Sequence, residues 1–278
     1  MTPQGSNHSV VTVLPGDDLS HINESASKET TTSKSKPLKL GTGLSYNPTT
    51  KQITATLAGR LHHRATANSN TYYIIANSKR YIPLLNDRVI CIIEERMGDY
   101  YRVTLPSSST GSALLNTCAF EGATKRNRPN LKNGDLIYAR ISTCHSHVME
   151  PEVACTVMSG EGSGSGSGSD GGASKKDWMT DEGTYGQLKG GSCIQISLGL
   201  AQELLKPTNV VLEACAEARI PFEICIGVNG IIWVNSDRPE YTILILNAIQ
   251  NSEVMTEGQV RGMVKSLVNT VRSTFMED

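Results

Sequence analysis

The chain has no excess of basic residues: 26 Lys and Arg stand against 27 Asp and Glu, a formal net charge of -1. A protein that held nucleic acid by its overall charge would carry a marked surplus of cations, because phosphate neutralisation and counterion release drive that binding. If the chain touches RNA, it does so through a local patch or as part of a larger assembly. Aromatic residues are sparse too, 5% of the chain with only three Phe, so no Phe-rich stacking platform is present. No apolar run is long enough to span a bilayer, and the longest stretches, such as Tyr241 to Ile249, are broken by polar residues. No cationic stretch followed by an apolar run opens the sequence. The seven cysteines form no C-x-x-C pair. That argues against a disulfide framework and for free thiols in a reducing compartment.

Catalytic signatures are equally thin. No Gly-rich loop with a following Lys is present to cradle a phosphate. Glu94-Glu95 lie in a strand-like run, where neighbours point to opposite faces, so they make no carboxylate pair. Cys144, His145 and His147 lack the second pair of ligands that closes a zinc site, and they read as a loop with a buried Cys. The sequence therefore predicts neither enzyme activity, nor a cofactor, nor a metal.

What is present is a succession of short strands, then helices. Val10 to Leu14 is strand-like and ends in the turn Pro15-Gly16-Asp17-Asp18. Residues 20–36 are Ser, Thr, Lys and Glu-rich and are expected to be disordered. Ile53 to Leu57 alternates as a half-buried strand does. Residues 1–83 are read as a small β domain. Arg88 to Ile93, Asp99 to Leu105, Leu136 to Ile141 and Val153 to Val157 follow as strands at short spacing, the pattern of a small barrel of the OB type over 84–158. Within Asp99 to Leu105, Tyr101, Val103 and Leu105 share one face, and Tyr100, Arg102 and Thr104 the other. A Gly-Ser-Gly-Ser run within 159–182 reads as a flexible tether or an exposed loop, not core.

The last part, 183–278, changes character. Cys193 to Leu198 predicts a strand, and Leu200 and Leu204 a short helix stopped by Pro207. Thr208 or Asn209 can cap a second helix running to Arg219. Phe222, Ile224 and Ile226 alternate into Asn229-Gly230, a hairpin signal in which both residues are expected at positive φ. Ile231 to Val234 returns. Asp237 and Pro239 open a third helix. A closing helix carries a Thr256/Gln259 capping box and a Val260, Val264, Leu267, Val268, Val271 stripe. The order β-α-α-β-β-α plus one helix is that of a KH domain. The fold class is thus multidomain, β then α+β.

Two segments carry a resemblance. Phe120-Glu121-Gly122-Ala123-Thr124-Lys125-Arg126-Asn127-Arg128-Pro129-Asn130 leads into Gly134-Asp135-Leu136-Ile137-Tyr138, and further on stands Gly227-Val228-Asn229-Gly230-Ile231-Ile232-Trp233-Val234. With Leu14-Pro15-Gly16-Asp17, Gly59-Arg60-Leu61, Lys79-Arg80-Tyr81-Ile82-Pro83 and Met149-Glu150-Pro151-Glu152, they make nearly the whole chain similar to the exosome component 3, or ribosomal RNA-processing protein 40, family of eukaryotic RNA exosome cap subunits. The resemblance implies an N-terminal β domain, an S1-type OB barrel and a KH domain. It also implies a non-catalytic subunit that sits with other caps on a ring of RNase PH-like proteins. Such a subunit guides single-stranded RNA into the channel for 3'-5' processing and decay, in nucleus, nucleolus and cytoplasm, with no membrane partner. A free-standing S1/KH RNA-binding regulator is the alternative. Two departures stand out: Thr42 replaces the family's proline in Gly41-Thr42-Gly43-Leu44, and Ile231 stands where a basic residue often follows Gly-x-Asn-Gly.

Candidate site residues follow from these readings. Lys125, Arg126 and Arg128 are close cations with no acid between them and could meet phosphate oxygens. Arg102, with Tyr100 on the same strand face, occupies the position where an S1 barrel usually stacks a base. The junction where a KH domain places its Gly-x-x-Gly clamp reads Leu205-Lys206-Pro207-Thr208-Asn209 and holds no glycine. Gly227, Asn229 and Gly230 are read as structural, and Trp233 as an anchor at a domain interface. Arg60 and Arg64 around His62-His63 are taken as ordinary surface.

Overall fold

The computed structural model describes residues 11–22, 37–66, 69–145, 149–157, 178–179 and 183–275, with side chains omitted at 274 and 275. The chain divides into two compact units, Met1–Asn77 and Ser78–Asp278.

Among its described residues the first unit is built of short strands, apart from helical His21 and Ile22. β1 (Val11–Val13), β5 (Gly59–Ala65), β6 (Asn70–Ile75) and β2 (Leu38–Leu40) form one sheet in the order β1-β5-β6-β2, and β3 (Leu44–Asn47) pairs with β4 (Gln52–Ala55) as a hairpin. Its core is Val13, Leu19, Ile22, Ile53, Ala55 and Ile74. Leu19 and Ile22 are buried beside Ser20 and His21, so the segment expected to be disordered from residue 20 begins with ordered structure. Its remainder, 23–36, lies outside the described residues. Gly41-Thr42-Gly43 crosses close over β6. Gly43 has φ +83°, and a Cβ there would sit 2.8 Å from that of Ile74. The Thr42 carbonyl accepts from the Ile74 N–H at 2.9 Å, a bond that proline at this position would also make.

The second unit begins with a closed barrel. β7 (Arg88–Met97), β8 (Tyr100–Thr104), β9 (Ser112–Phe120), β10 (Leu136–Thr143) and β11 (Glu152–Cys155) follow the order β11-β9-β8-β7-β10, and β11 closes onto β10. Alternation sends Ile137, Ala139 and Ile141 inward from β10, and Tyr101 and Val103 from β8, all at most 1% exposed. A bulge falls between Ile93 and Glu95 where β7 pairs with β8. It breaks the strict alternation expected for Glu94-Glu95, and both side chains are exposed.

A sixth strand, β12 (Gly186–Leu188), lies in the stretch read as the start of the final domain, yet it pairs with β10 of the barrel. Trp178, in the stretch read as a tether, packs against the barrel core, and its backbone N–H donates to the Glu121 carbonyl at 3.1 Å. The correction has a simple cause: one large aromatic finds apolar surface whatever the polarity of its neighbours. The Gly-Ser run itself lies outside the described residues.

The final domain has β13 (Ser192–Gln195), α1 (Leu198–Leu204), α2 (Val210–Glu217), β14 (Glu223–Ile226), β15 (Ile231–Asn235), α3 (Pro239–Ser252) and α4 (Glu257–Phe275), with the sheet order β13-β15-β14. Ser197 caps α1, its hydroxyl oxygen accepting from the Leu200 N–H. Asn209, rather than Thr208, caps α2: its Oδ1 accepts from the N–H groups of Val211 and Leu212, and its Nδ2 donates to the Glu203 carbonyl. α3 has Pro239 in its first turn, but the residue before it is Arg238 and no side chain caps it, so Asp237 does not act as a cap. At the head of α4, Gln259 Oε1 accepts from the Thr256 N–H at 3.0 Å. Val260, Val264 and Val268 are buried in the core, and Leu267 and Val271 pack against it.

Candidate nucleic-acid interface

The basic loop joins β9 to β10. Thr124 and Asn127 close a tight turn by exchanging N–H to carbonyl bonds at 2.8 and 3.1 Å. Lys125 and Arg126 occupy its tip, exposed to water. Beneath them the loop is pinned. The Tyr101 hydroxyl, inside the barrel, donates to the Pro129 carbonyl at 3.2 Å and accepts from the Leu131 N–H at 3.3 Å.

Arg128 differs from its two neighbours. Its Nη1 donates to Thr117 Oγ1 at 2.7 Å and to Asp99 Oδ1 at 3.3 Å. Thr117 is fully buried and the Arg128 side chain only 27% exposed. The three cations do not form one equivalent cluster: two face solvent, and the third holds the loop to the β7–β8 turn. No acid lies near Arg128 in the loop; its partner comes from 29 residues away.

Asp99 directly precedes Tyr100, so the Arg128 bond brings the base of the loop to the start of β8. Tyr100 is 39% exposed there, opposite Asn116 of β9. Arg102, one step along the same face, lies opposite Leu114 and Glu95. It pairs with Glu95 at 3.5 Å, which offsets its charge, while its Nε is buried without a partner. The barrel face thus offers one exposed ring and one half-neutralised guanidinium.

The Gly227–Gly230 turn joins β14 to β15 and faces the barrel. Asn229 is fully buried. Its Oδ1 accepts from the Ile90 N–H at 3.2 Å, and its Nδ2 donates to the Ile90 carbonyl at 2.9 Å. The Val228 N–H donates to the Arg88 carbonyl at 2.8 Å. The reason lies in β8. Ile92 pairs with Thr104, so continuing that register would set Pro106 opposite Ile90. Proline has no N–H to give, β8 stops, and the edge of β7 is left open. The Asn229 carboxamide, a peptide group in miniature, fills the gap in the ladder.

The neighbouring glycines make room. Gly230 has φ +77°, and a Cβ there would come 2.8 Å from the Ile196 carbonyl oxygen. A Cβ on Gly227 would run into the Asn229 carboxamide and come 2.9 Å from the Ile90 nitrogen. Asn229 itself is not among the residues with positive φ. The expectation that it serves backbone geometry is therefore corrected: its side chain does the work.

Trp233 completes the junction. Its ring packs with Ile90 and Ile231 against Leu136, Tyr138 and Leu188, and its Nε1 donates to the Gly190 carbonyl at 2.9 Å. Ile231 is 6% exposed and belongs to this apolar cluster. Tyr138 lies within the same wall, and burial pushes its hydroxyl up to about 12. Between α1 and α2, by contrast, Leu205 to Thr208 are exposed, with Lys206 held to Glu203 at 2.6 Å.

Four cysteines lie where burial disfavours the thiolate. Burial pushes the Cys91 and Cys155 thiols well up, and Cys215 and Cys225 up to about 11. These four are therefore held as neutral thiols near neutrality. Cys144 Sγ donates to the Pro83 carbonyl at 3.2 Å, and His147 lies outside the described residues. Among the described residues no three His, Cys, Asp or Glu side chains come together where an ion could be held.

Known proteins match this architecture throughout. A family model described as "Exosome complex component RRP40, S1 domain" matches residues 81–167. A "KH domain" model matches 191–240, and "Exosome complex exonuclease Rrp40 N-terminal domain" matches 38–80. The exosome complex component rrp40 of Schizosaccharomyces pombe is 36% identical over 83% of this chain and 87% of its own length. Exosome complex component RRP40 of Saccharomyces cerevisiae is 36% identical over 77% of this chain and 81% of its own. The Homo sapiens protein of the same name is 31% identical over 79% of this chain and 72% of its own. This chain, with its N-terminal β domain, S1 barrel and KH domain, belongs to the RRP40 family of exosome complex components.

Proposed function

We propose that this chain is a non-catalytic cap subunit of the RNA exosome. In this reading it steadies a ring of RNase PH-like subunits alongside other caps. It guides single-stranded RNA into the central channel for 3'-5' processing and decay, in nucleus, nucleolus and cytoplasm. Family membership supports assembly into the complex. The observation that carries the rest is the Asn229 side chain paired with both backbone groups of Ile90. It commits the glycine-bearing turn of the KH domain to holding the barrel. The usual clamping junction, meanwhile, has Pro207 and no glycine to admit a phosphodiester backbone.

RNA contact then falls to the barrel. Lys125 and Arg126 meet phosphate oxygens, and Tyr100 stacks a base. Arg128 and Arg102, each facing an acid, contribute less. Such contacts are few and read no base edges, so binding is weak, sequence-indifferent and salt-sensitive.

The test is recovery of the native protein, followed by assay. The proposal expects stoichiometric recovery with RNase PH-like ring subunits, and no ribonuclease activity of the isolated chain with Mg²⁺ or phosphate. Recovery as a lone monomer that binds RNA tightly would instead establish a free-standing regulator. Degradation abolished by changing an acidic residue of this chain would overturn the non-catalytic assignment.

A further inference from the structure

The outer face of the N-terminal sheet carries cations and a ring stack in register. Arg60, His62 and Arg64 alternate along β5 with Leu61 and His63, so the first three share one face. That face is the outer one, because Leu61, Ile74, Leu38 and Leu40 turn toward the core. Cross-strand pairing sets three rows on it. Arg64 stands opposite Thr71, which stands opposite Lys39 of β2; His62 stands opposite Tyr73; Arg60 stands between Ile75 and Thr12.

Three features of these rows bear on a ligand. Lys39, Arg60 and Arg64 are exposed, and among the described residues none has an acidic partner within ion-pair distance. The rows contain no Asp or Glu. The His62 and Tyr73 rings are stacked, with centroids 5.7 Å apart and planes 21° from parallel, in the row between the two arginines. Arg60 and Arg64 are four residues apart, about 13 Å along an extended strand.

We propose that this face is a second binding surface for single-stranded RNA. Phosphates lie along Lys39, Arg60 and Arg64, and a base stacks against the His62–Tyr73 pair. An acidic protein surface would satisfy the cations but leave the stacked rings without a role, whereas a single strand uses both. The inference rests on the reading that the chain handles RNA. It does not depend on the barrel loop, and the experiment separates the two.

Fluorescence anisotropy with a labelled oligouridylate and a duplex control would be measured on the full chain as a function of salt. Four forms are compared: wild type; K125A/R126A; K39A/R60A/R64A; and both sets combined. The proposal expects K39A/R60A/R64A to weaken single-strand binding about tenfold or more. It also expects the salt slope to flatten by about 0.7 for each phosphate no longer neutralised, in either loop background. Tyr73→Leu should weaken binding about fivefold or more, and Tyr73→Phe should restore it, since stacking needs only the ring. The exposed positions of the cations allow folding to be checked by an unchanged melting temperature. If K39A/R60A/R64A leaves affinity and salt slope untouched while K125A/R126A lowers both, this surface is overturned and the barrel assignment stands. If only K39A/R60A/R64A has an effect, the barrel assignment falls and this surface stands.

Discussion

The Gly227–Gly230 turn and the Gly122–Pro129 loop are both polar, glycine-bearing connections between strands, and they treat their polar groups in opposite ways. In the first, Asn229 and the N–H of Val228 point inward and each finds a backbone partner in β7. In the second, Lys125 and Arg126 point out and are met by water. Burial makes the first set expensive to disturb, since every group removed leaves another unpaired. Exposure leaves the second set free for a ligand and cheap to remove. A polar side chain's role is therefore read from what satisfies it, and one loop contains both kinds, because Arg128 is anchored while its neighbours are not.

The sharpest way to break this contrast is Asn229→Asp. The change keeps shape but replaces the Nδ2 donor with an anionic oxygen aimed at the Ile90 carbonyl. The expected loss is about 3 kcal/mol or more, seen as a melting temperature lower by about 6 °C or more. Asn229→Asp melting like wild type would show that the turn bears no load. Next in size, Gly230→Ala places a Cβ at φ +77° against the Ile196 carbonyl. It should cost about 1–3 kcal/mol in chemical denaturation.

Smaller effects divide the basic loop. Arg128→Ala should lower stability by about 1–2 kcal/mol, because buried Thr117 Oγ1 loses its donor. K125A/R126A should leave stability unchanged and flatten the salt dependence of RNA binding by about 1.4. Equal effects of the two variants on melting would erase the distinction drawn between them.

The smallest effect is a pH dependence at Asp87. Burial raises the pKa of this carboxyl although the Tyr81 hydroxyl donates to it at 2.7 Å. The folded state therefore holds its proton more tightly than the unfolded chain does. That contribution to stability is present below the ordinary carboxylate pKa and is lost as pH rises through the raised one. Asp87→Asn can accept the same two hydrogen bonds, from Tyr81 and from the Leu84 N–H. The melting temperature of wild type relative to this variant should fall as pH rises from about 3.5 through the mildly acidic range. A constant difference would remove the assignment.

Much of the fold is legible in the sequence because it is written in local periods. Tyr101, Val103 and Leu105 alternate into the barrel, and Val260, Val264 and Val268 recur at helical spacing into the KH core. The resemblance carried by Phe120 to Asn130 supplies the domain identities that periodicity alone leaves open. The parts that are not legible depend on partners far away in sequence. Asn229 reads as a turn residue because its partner, Ile90, lies 139 residues away. Arg128 reads as a third free cation because Asp99 and Thr117 belong to other parts of the barrel. Trp178 reads as part of a tether because composition averages over a window, while packing acts on one side chain. The cationic face of the N-terminal sheet emerges only from the register of four strands, which brings Lys39 into line with Arg64.

The Gly-x-Asn-Gly turn of the KH domain grips the barrel through Asn229 and Val228, and in the proposed function it holds no nucleotide. Amide hydrogen exchange at Ile90 and Val228, in the full chain with and without saturating single-stranded RNA, tests it most directly. Both amides donate into the junction. They should exchange slowly in the free protein and at the same rate with RNA bound. Fast exchange in the free protein, slowing only when RNA is added, would contradict the account.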